Sequence, residues 1–318
     1  MLAVVPGIQE EGEGGQMIDV VIAGAGPSGL SAALCLARVG RQVLVLDGGP
    51  WRGASSDAVH NLFTRDGATP PELRESALAQ LRRYPCVKVQ AASAEAAEGP
   101  PGKIRVTLGG GRVAVAHRLI LATGVEDLLP DVPGLPERWG QSVVPCPYCD
   151  GWERGGLPLA VLALDEWAVH QAVQIQRLSD DVVLCMNGTG TPTEDQRKLL
   201  AERGVTVREE PLAGLEGAGT SLERLRFTDG SSVVCRALFC HPPTRQRSDL
   251  PAQLGCRLLG DGAVEVNDYG QTSQPGIYAV GDMAHAADSL LPGHSIAMAV
   301  AKGQAAAMVI DQELLYND

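Results

Sequence analysis

The chain has 318 residues, 45% hydrophobic but only 4% aromatic, with 38 glycines and a formal net charge of −12. It is long enough for two core-bearing domains, and a core of Ala, Val, Leu and Ile with abundant Gly favours strand–turn–helix units of the α/β class. The acidic balance argues against nucleic acid or an anionic membrane surface as partner, and no uncharged apolar run approaches the roughly 18–20 residues that span a bilayer.

Residues 1–16 are Gly- and Glu-rich and lack the basic stretch and apolar run of a secretion signal. They are set apart as an N-terminal extension, and a cytoplasmic location is expected. In a reducing compartment a close cysteine pair is catalytic or metal-binding more often than structural.

Ile18-Asp19-Val20-Val21-Ile22-Ala23 is a short apolar run of the buried parallel type. It leads into Gly24-Ala25-Gly26-Pro27-Ser28-Gly29, a helical apolar pattern over 30–39, and a second strand over 41–46 that ends at Asp47. Strand, turn, helix and acidic residue together make a dinucleotide-binding βαβ unit. Gly24 makes the turn, Gly26 lets backbone approach a pyrophosphate, Gly29 packs helix on strand, and Asp47 is placed for a ribose hydroxyl. Residues 48–67 read as irregular and polar, with His60-Asn61 at their centre. A helix is expected over 72–84 and meander strands over 87–90, 103–108 and 112–117. Leu119 to Gly124 reads as another buried strand, whose Ala122-Thr123-Gly124 ending suits backbone lying close to a cofactor. The Pro- and Gly-containing stretch 125–139 reads as a hinge.

Cys146-Pro147-Tyr148-Cys149-Asp150-Gly151-Trp152-Glu153 follows at once. Thiols two residues apart can alternate between dithiol and disulfide with little backbone movement, and a carboxylate directly after them can shuttle the proton of thiolate chemistry. Strand 159–164, helix 166–178, strand 181–186, a Thr193-to-Gln196 capping box with its helix, and strand 205–209 then repeat the plan of the first unit. The glycines are missing from the repeat. Ala163-Leu164-Asp165-Glu166-Trp167-Ala168 stands where the turn belongs, so side chains block a pyrophosphate and two carboxylates occupy the helix head. Met186-Asn187-Gly188-Thr189 offers no Arg for the 2′-phosphate of NADPH. Helix capping by Asp165 explains these residues without any ligand.

Residues 222–227 and 231–239 read as a hairpin around Thr228-Asp229-Gly230. A strand over 276–282 ends in Gly281-Asp282, where a carboxylate can reach sugar or ribityl hydroxyls or simply form a turn. A long Ala-rich helix over 295–313 begins at His294-Ser295, with backbone donors aimed at a developing anion.

In this order, the glycine turn with Ala122-Thr123-Gly124, the Cys146-x-x-Cys149-Asp150-Gly151 centre and the late Gly281-Asp282 resemble the low-molecular-weight thioredoxin reductase family of FAD-dependent disulfide oxidoreductases, over nearly the whole chain from Met17. The resemblance implies two Rossmann-like three-layer α/β domains. An FAD domain (17–126 and 245–318) is split by a nicotinamide-type central domain (127–244) carrying the CxxC. A homodimer and a redox-active disulfide are also implied. FAD contacts carry over to Gly24, Gly26, Pro27, Ser28, Gly29, Asp47, Gly48, His60, Asn61, Ala122, Thr123, Gly124, Gly281, Asp282, His294 and Ser295. Cys149 becomes the thiol facing the flavin, Cys146 the interchange thiol and Asp150 the acid/base. Cys-Pro-Tyr-Cys with Asp-Gly-Trp-Glu, and Thr244-Arg245-Gln246-Arg247-Ser248, are more closely similar to the branch holding the dithiol oxidases of gliotoxin- and holomycin-type pathways.

Two departures shape the expected function. The nicotinamide fingerprint is replaced, and the Arg-Gln of typical members at the final helix is here His294-Ser295, after a short insertion around 284–293. Electrons are therefore expected to pass between FAD, the Cys146–Cys149 disulfide and an external thiol or disulfide, either a thioredoxin-like protein or a small dithiol. O2, ferredoxin or a second bound flavin stands in for NADPH. The alternatives are an NADPH-dependent thioredoxin reductase and a non-catalytic flavin-binding redox sensor. Glutaredoxin shares Cys-Pro-Tyr-Cys, but near the start of a small domain. A zinc ribbon needs a second ligand pair that the scattered Cys185, Cys235, Cys240 and Cys256 do not provide, so no metal is expected.

Overall fold

The computed structural model describes residues 17–289 and 294–316. The expected extension 1–16 and residues 290–293 of the expected insertion lie outside them. The chain divides into two compact units, one of residues 17–54, 71–126 and 244–316, the other of 55–70 and 127–243.

The first unit runs through β1 (Ile18–Ala23), α1 (Pro27–Arg38), β2 (Val43–Asp47), α2 (Pro70–Leu81), β3 (Val87–Ala91), β4 (Ala94–Glu98), β5 (Ile104–Leu108) and β6 (Val113–Leu121). Its sheet has the order β3-β2-β1-β6-β5-β4, and the returning strand Ile277–Ala279 pairs in parallel with the second half of β6. β1 is covered on both faces, as a continuous apolar run requires. Val20 and Ile22 join Leu30, Leu36 and the C-terminal helix residues Ala306 and Ile310 in one apolar layer. Val21 and Ala23 join Ile104, Val106 and Leu250 in the other. Each such fully buried Val, Leu or Ile stabilises the fold by roughly 1.5–3 kcal/mol, so the ends of β1 and β6 are held firmly where the glycine turn emerges.

The second unit has a parallel sheet in the order Thr206–Arg208, Val182–Cys185, Leu159–Leu162, Ala237–Cys240, Val143–Val144. Helices Trp167–Ile175 and Glu194–Glu202 accompany it, and a three-stranded antiparallel sheet (Leu212–Glu216, Arg224–Phe227, Ser232–Val234) completes the unit. Both units are thus α/β, built on largely parallel sheets, with β5 and β4 added antiparallel at one edge of the first.

Several expectations need correction. The separate strands 112–117 and 119–124 are one strand, β6, which ends at Leu121. Arg118 interrupts the apolar pattern, yet it is only 7% exposed because Glu313 pairs with its Nε at 3.0 Å and the His117 carbonyl accepts from it. The second arm of the expected hairpin stops at Val234, and the wholly buried Ala237–Cys240 instead joins the parallel sheet beside Leu159–Leu162. Residues 55–70, assigned by sequence to the first domain, group with the second unit. There the Gln141 side chain donates to the Ser55 carbonyl at 2.5 Å. Thr244 belongs with the first unit.

Candidate active site

In the first unit, Gly26 stands at the head of the twelve-residue α1 in extended backbone (φ −76°, ψ −179°), with no side chain capping it. The space its side chain would fill is open to 4 Å. Gly24, at φ +122°, lies directly on the Ala122 carbonyl, where any Cβ would collide. Gly29 packs in the same way on the Gly24 carbonyl, and Gly281 lies against the Ser28 hydroxyl. Pro27 supplies the first helical residue with φ already set. Thr123 Oγ1 donates to Met283 Sδ at 3.5 Å, and the Gly124 carbonyl accepts from the Arg247 N–H at 3.2 Å. Gly48 faces the Ser93 hydroxyl. The turn, Ala122-Thr123-Gly124 and Gly281-Asp282 therefore converge at the carboxyl ends of parallel strands, leaving bare backbone donors at a helix head. That cradle fits the pyrophosphate of a dinucleotide such as FAD. Gly24→Ala forces an L side chain into left-handed backbone, which alone costs about 1–3 kcal/mol, and adds the carbonyl clash. The expected result is a lowered thermal midpoint together with purification largely without FAD.

The carboxylates flanking this cradle are oriented by cations that sequence reading missed. Asp47 is ion-paired with Arg74 of α2, and Asp282 pairs with Arg52 at 3.0 Å. Trp51 Nε1 donates to the Ala25 carbonyl at 2.7 Å. Lys302 donates to the Ala284 carbonyl at 3.0 Å; burial holds its ammonium below the usual lysine range, against the opposing pull of Asp282. Two half-buried carboxylates in one site were the available signal, since each calls for a partner. Ser295 accepts from the Met298 N–H at 3.2 Å and so caps the final helix. His294 borders a small cavity of about 30 Å³ with Asp282, His285 and Gln246.

In the second unit, Val143–Val144 leads into Pro145, whose carbonyl accepts from Gln171 Nε2 at 3.0 Å. Pro147–Asp150 then forms a single helical turn with Cys146 as its cap. Cys146 and Cys149 are disulfide-bonded, with Cα atoms 5.3 Å apart. The Cys149 N–H donates to Cys146 Sγ at 3.2 Å, a bond that strengthens when that sulfur carries a thiolate charge. Asp150 pairs with Arg154 one turn on, at 3.5 Å, and Arg154 also bonds the Asp150 and Gln141 carbonyls at 2.7 and 2.5 Å. Burial pushes the Asp150 carboxyl above its ordinary range; Glu153 adds to this, while Arg154 and His60 oppose it. The i,i+4 spacing of Asp150 and Arg154 was legible in the sequence and passed over.

His60 comes to this site from the 55–70 segment. Its Nδ1 lies 3.4 Å from Glu153 Oε1 and 3.7 Å from Asp66 Oδ1. The adjacent Asn61, at φ 58°, donates its N–H to Asp66 Oδ1 at 2.7 Å. Tyr148 and Trp152, flanking Cys149, are 71% and 85% exposed. Elsewhere, burial drives the thiols of Cys185 and Cys240 up to about 12, which suppresses their thiolates at neutral pH.

The pattern of the pyridine nucleotide-disulphide oxidoreductase family matches residues 18–307. The chain belongs to this family. Thioredoxin reductase tcpT of Claviceps purpurea is 34% identical over 84% of this chain and 86% of its own length. Among solved structures, an oxidoreductase from Agrobacterium tumefaciens superposes with a TM-score of 0.89 at 34% identity, covering 95% of this chain and 100% of that one. HlmI superposes at 0.86 with 35% identity, covering 94% and 93%. This pyridine nucleotide-disulphide oxidoreductase is thus an FAD-dependent, thioredoxin reductase-like flavoprotein. Among its described residues no helix is long and apolar enough to cross a membrane.

Proposed function

We propose that the protein oxidises a small dithiol through Cys146–Cys149 and FAD, with O2 rather than NADPH as its second redox partner. One observation carries the exclusion of NADPH. Asp165 Oδ1 accepts from the Trp167 N–H at 3.0 Å, so a carboxylate fills the head of helix Trp167–Ile175, where a nucleotide pyrophosphate would otherwise bind. The polar groups after the neighbouring strand serve the fold: Asn187 Oδ1 accepts from the Leu212 N–H at 2.8 Å, and Thr189 Oγ1 donates to the Met186 carbonyl at 2.5 Å.

FAD, when bound, supplies a two-electron acceptor. The backbone of Gly24 to Gly29 would hold its pyrophosphate, and Asp47 and Asp282, oriented by Arg74 and Arg52, would accept from its sugar and ribityl hydroxyls. Cys146 exchanges with the substrate sulfur, Cys149 leaves as the thiolate of the pair, and Asp150 holds or releases the proton. The exposed rings of Tyr148 and Trp152 favour a substrate with an apolar body. An oxygen-electrode trace with dithiothreitol, paired with anaerobic titration by NADPH, tests the reading. Dithiol-driven oxygen uptake is expected, with flavin absorbance unchanged by micromolar NADPH. Rapid stoichiometric bleaching by NADPH sinks it.

A further inference from the structure

Oxidising a dithiol on this pair releases two protons, and the mechanism above places only one. The first substrate thiol loses its proton and attacks Cys146 Sγ. The Cys146–Cys149 bond breaks, a mixed disulfide forms, and Cys149 leaves as thiolate. The second substrate thiol loses its proton and attacks the substrate sulfur of that mixed disulfide. The substrate's own S–S bond forms, and Cys146 leaves as thiolate. One S–S bond is broken and one made, two electrons settle on the pair, and two protons must go elsewhere. A carboxyl that has taken the first cannot take the second.

We propose that His60, acting through Glu153, is the relay that takes the second proton from the thiol site and passes it to solvent. This rests on the dithiol-oxidation reading given above. The ring is flanked by carboxylates on two elements, Asp66 of its own segment and Glu153 just past the Cys turn, at 3.7 and 3.4 Å. Its Nδ1 is buried and, among the described residues, makes no hydrogen bond with either. A buried imidazole nitrogen that makes no hydrogen bond beside two carboxylates is a structural liability and leaves a ring nitrogen open to proton transfer with either of them. Asp150 and Arg154 are the remaining charged groups of the cluster, and the charge of His60 is felt at Asp150. Asp66, the second carboxylate at Nδ1, has a side chain 71% exposed, which gives the proton an exit to water. His60 is therefore a positioning and relay residue; it touches neither reacting sulfur.

The test is the pH profile of anaerobic flavin bleaching by dithiothreitol, measured by stopped flow on FAD-loaded wild type, His60→Gln and Glu153→Gln. His60→Gln is expected to slow bleaching about tenfold near neutral pH, with a deficit that shrinks as pH rises and is partly restored by added imidazole. Glu153→Gln is expected to show the same pH-dependent deficit, which decides the matter if His60→Gln fails to fold. A wild-type profile in both variants overturns the inference. So does a deficit that is uniform in pH and insensitive to imidazole, the mark of a packing role, or a loss of FAD content, the mark of a cofactor contact. If dithiothreitol does not bleach the wild-type flavin at all, the dithiol-oxidation reading itself falls.

Discussion

Cys146→Ser is expected to abolish dithiol-driven bleaching of the flavin, lowering its rate by on the order of a thousandfold or more, as removal of a covalent nucleophile does elsewhere. Only thiol chemistry can accept the substrate sulfur here, and the buried cysteines with raised thiols, such as Cys185, cannot substitute. Cys149→Ser is expected to be equally inactive but chemically different. Cys146 retains its sulfur and still reacts with an activated disulfide such as 5,5′-dithiobis(2-nitrobenzoate). With no second thiol to resolve it, the mixed disulfide accumulates at one equivalent. Mass spectrometry of the two variants therefore separates the roles: a stable adduct on Cys149→Ser with little on Cys146→Ser makes Cys146 the interchange thiol, and the reverse pattern exchanges them. Both variants should keep full FAD content, since the glycine cradle belongs to the other unit. Turnover that survives Cys146→Ser would return the protein to the class of flavin-binding sensors.

The two sites were unequally legible in the sequence. The glycine turn could be read because the strand, turn and helix that carry its spacing follow one another in sequence, although the Ala122 carbonyl that bars a side chain at Gly24 comes from a distant strand end. The Cys pair was legible for the same reason, with both sulfurs within one helical turn. What local pattern could not show were partners brought from afar. Arg118 broke the apparent strand because its partner Glu313 lies in the final helix. β4 was missed because Ala94–Glu98 is made of helix-forming residues, and only antiparallel pairing with β5 draws it into the sheet. Arg52 and Arg74 were overlooked for want of a visible carboxylate within helical reach. His60, carried over by resemblance as a cofactor contact, also has its Nδ1 beside Asp66 and Glu153, and the second of these partners lies too far along the chain for local pattern to announce it. In each case the deciding partner was a neighbour in space rather than a neighbour in sequence.

Asp150→Asn is expected to split activity from stability. Burial raises the wild-type carboxyl, so the folded protein holds this proton to higher pH than the unfolded chain does. Folding is therefore unpenalised below the ordinary carboxylate value, loses stability as pH rises from there to the raised value, and carries the full desolvation cost above it. Asparagine has nearly the same shape and no charge to desolvate. The bond from Arg154 to the residue 150 carbonyl is backbone-directed and survives the change. The variant should match wild type in thermal midpoint at acid pH and exceed it at neutral pH, the gap opening across that window. Catalysis should move the other way. With no group to take the first substrate proton, dithiol-driven bleaching should fall by roughly 10²–10⁴-fold, and the remaining rate should climb with pH as the substrate thiol ionises unaided. Equal thermal midpoints at every pH would mean that the ion pair with Arg154 fully offsets burial. An unchanged rate would remove Asp150 from the proton path and leave His60 and Glu153 to carry both protons.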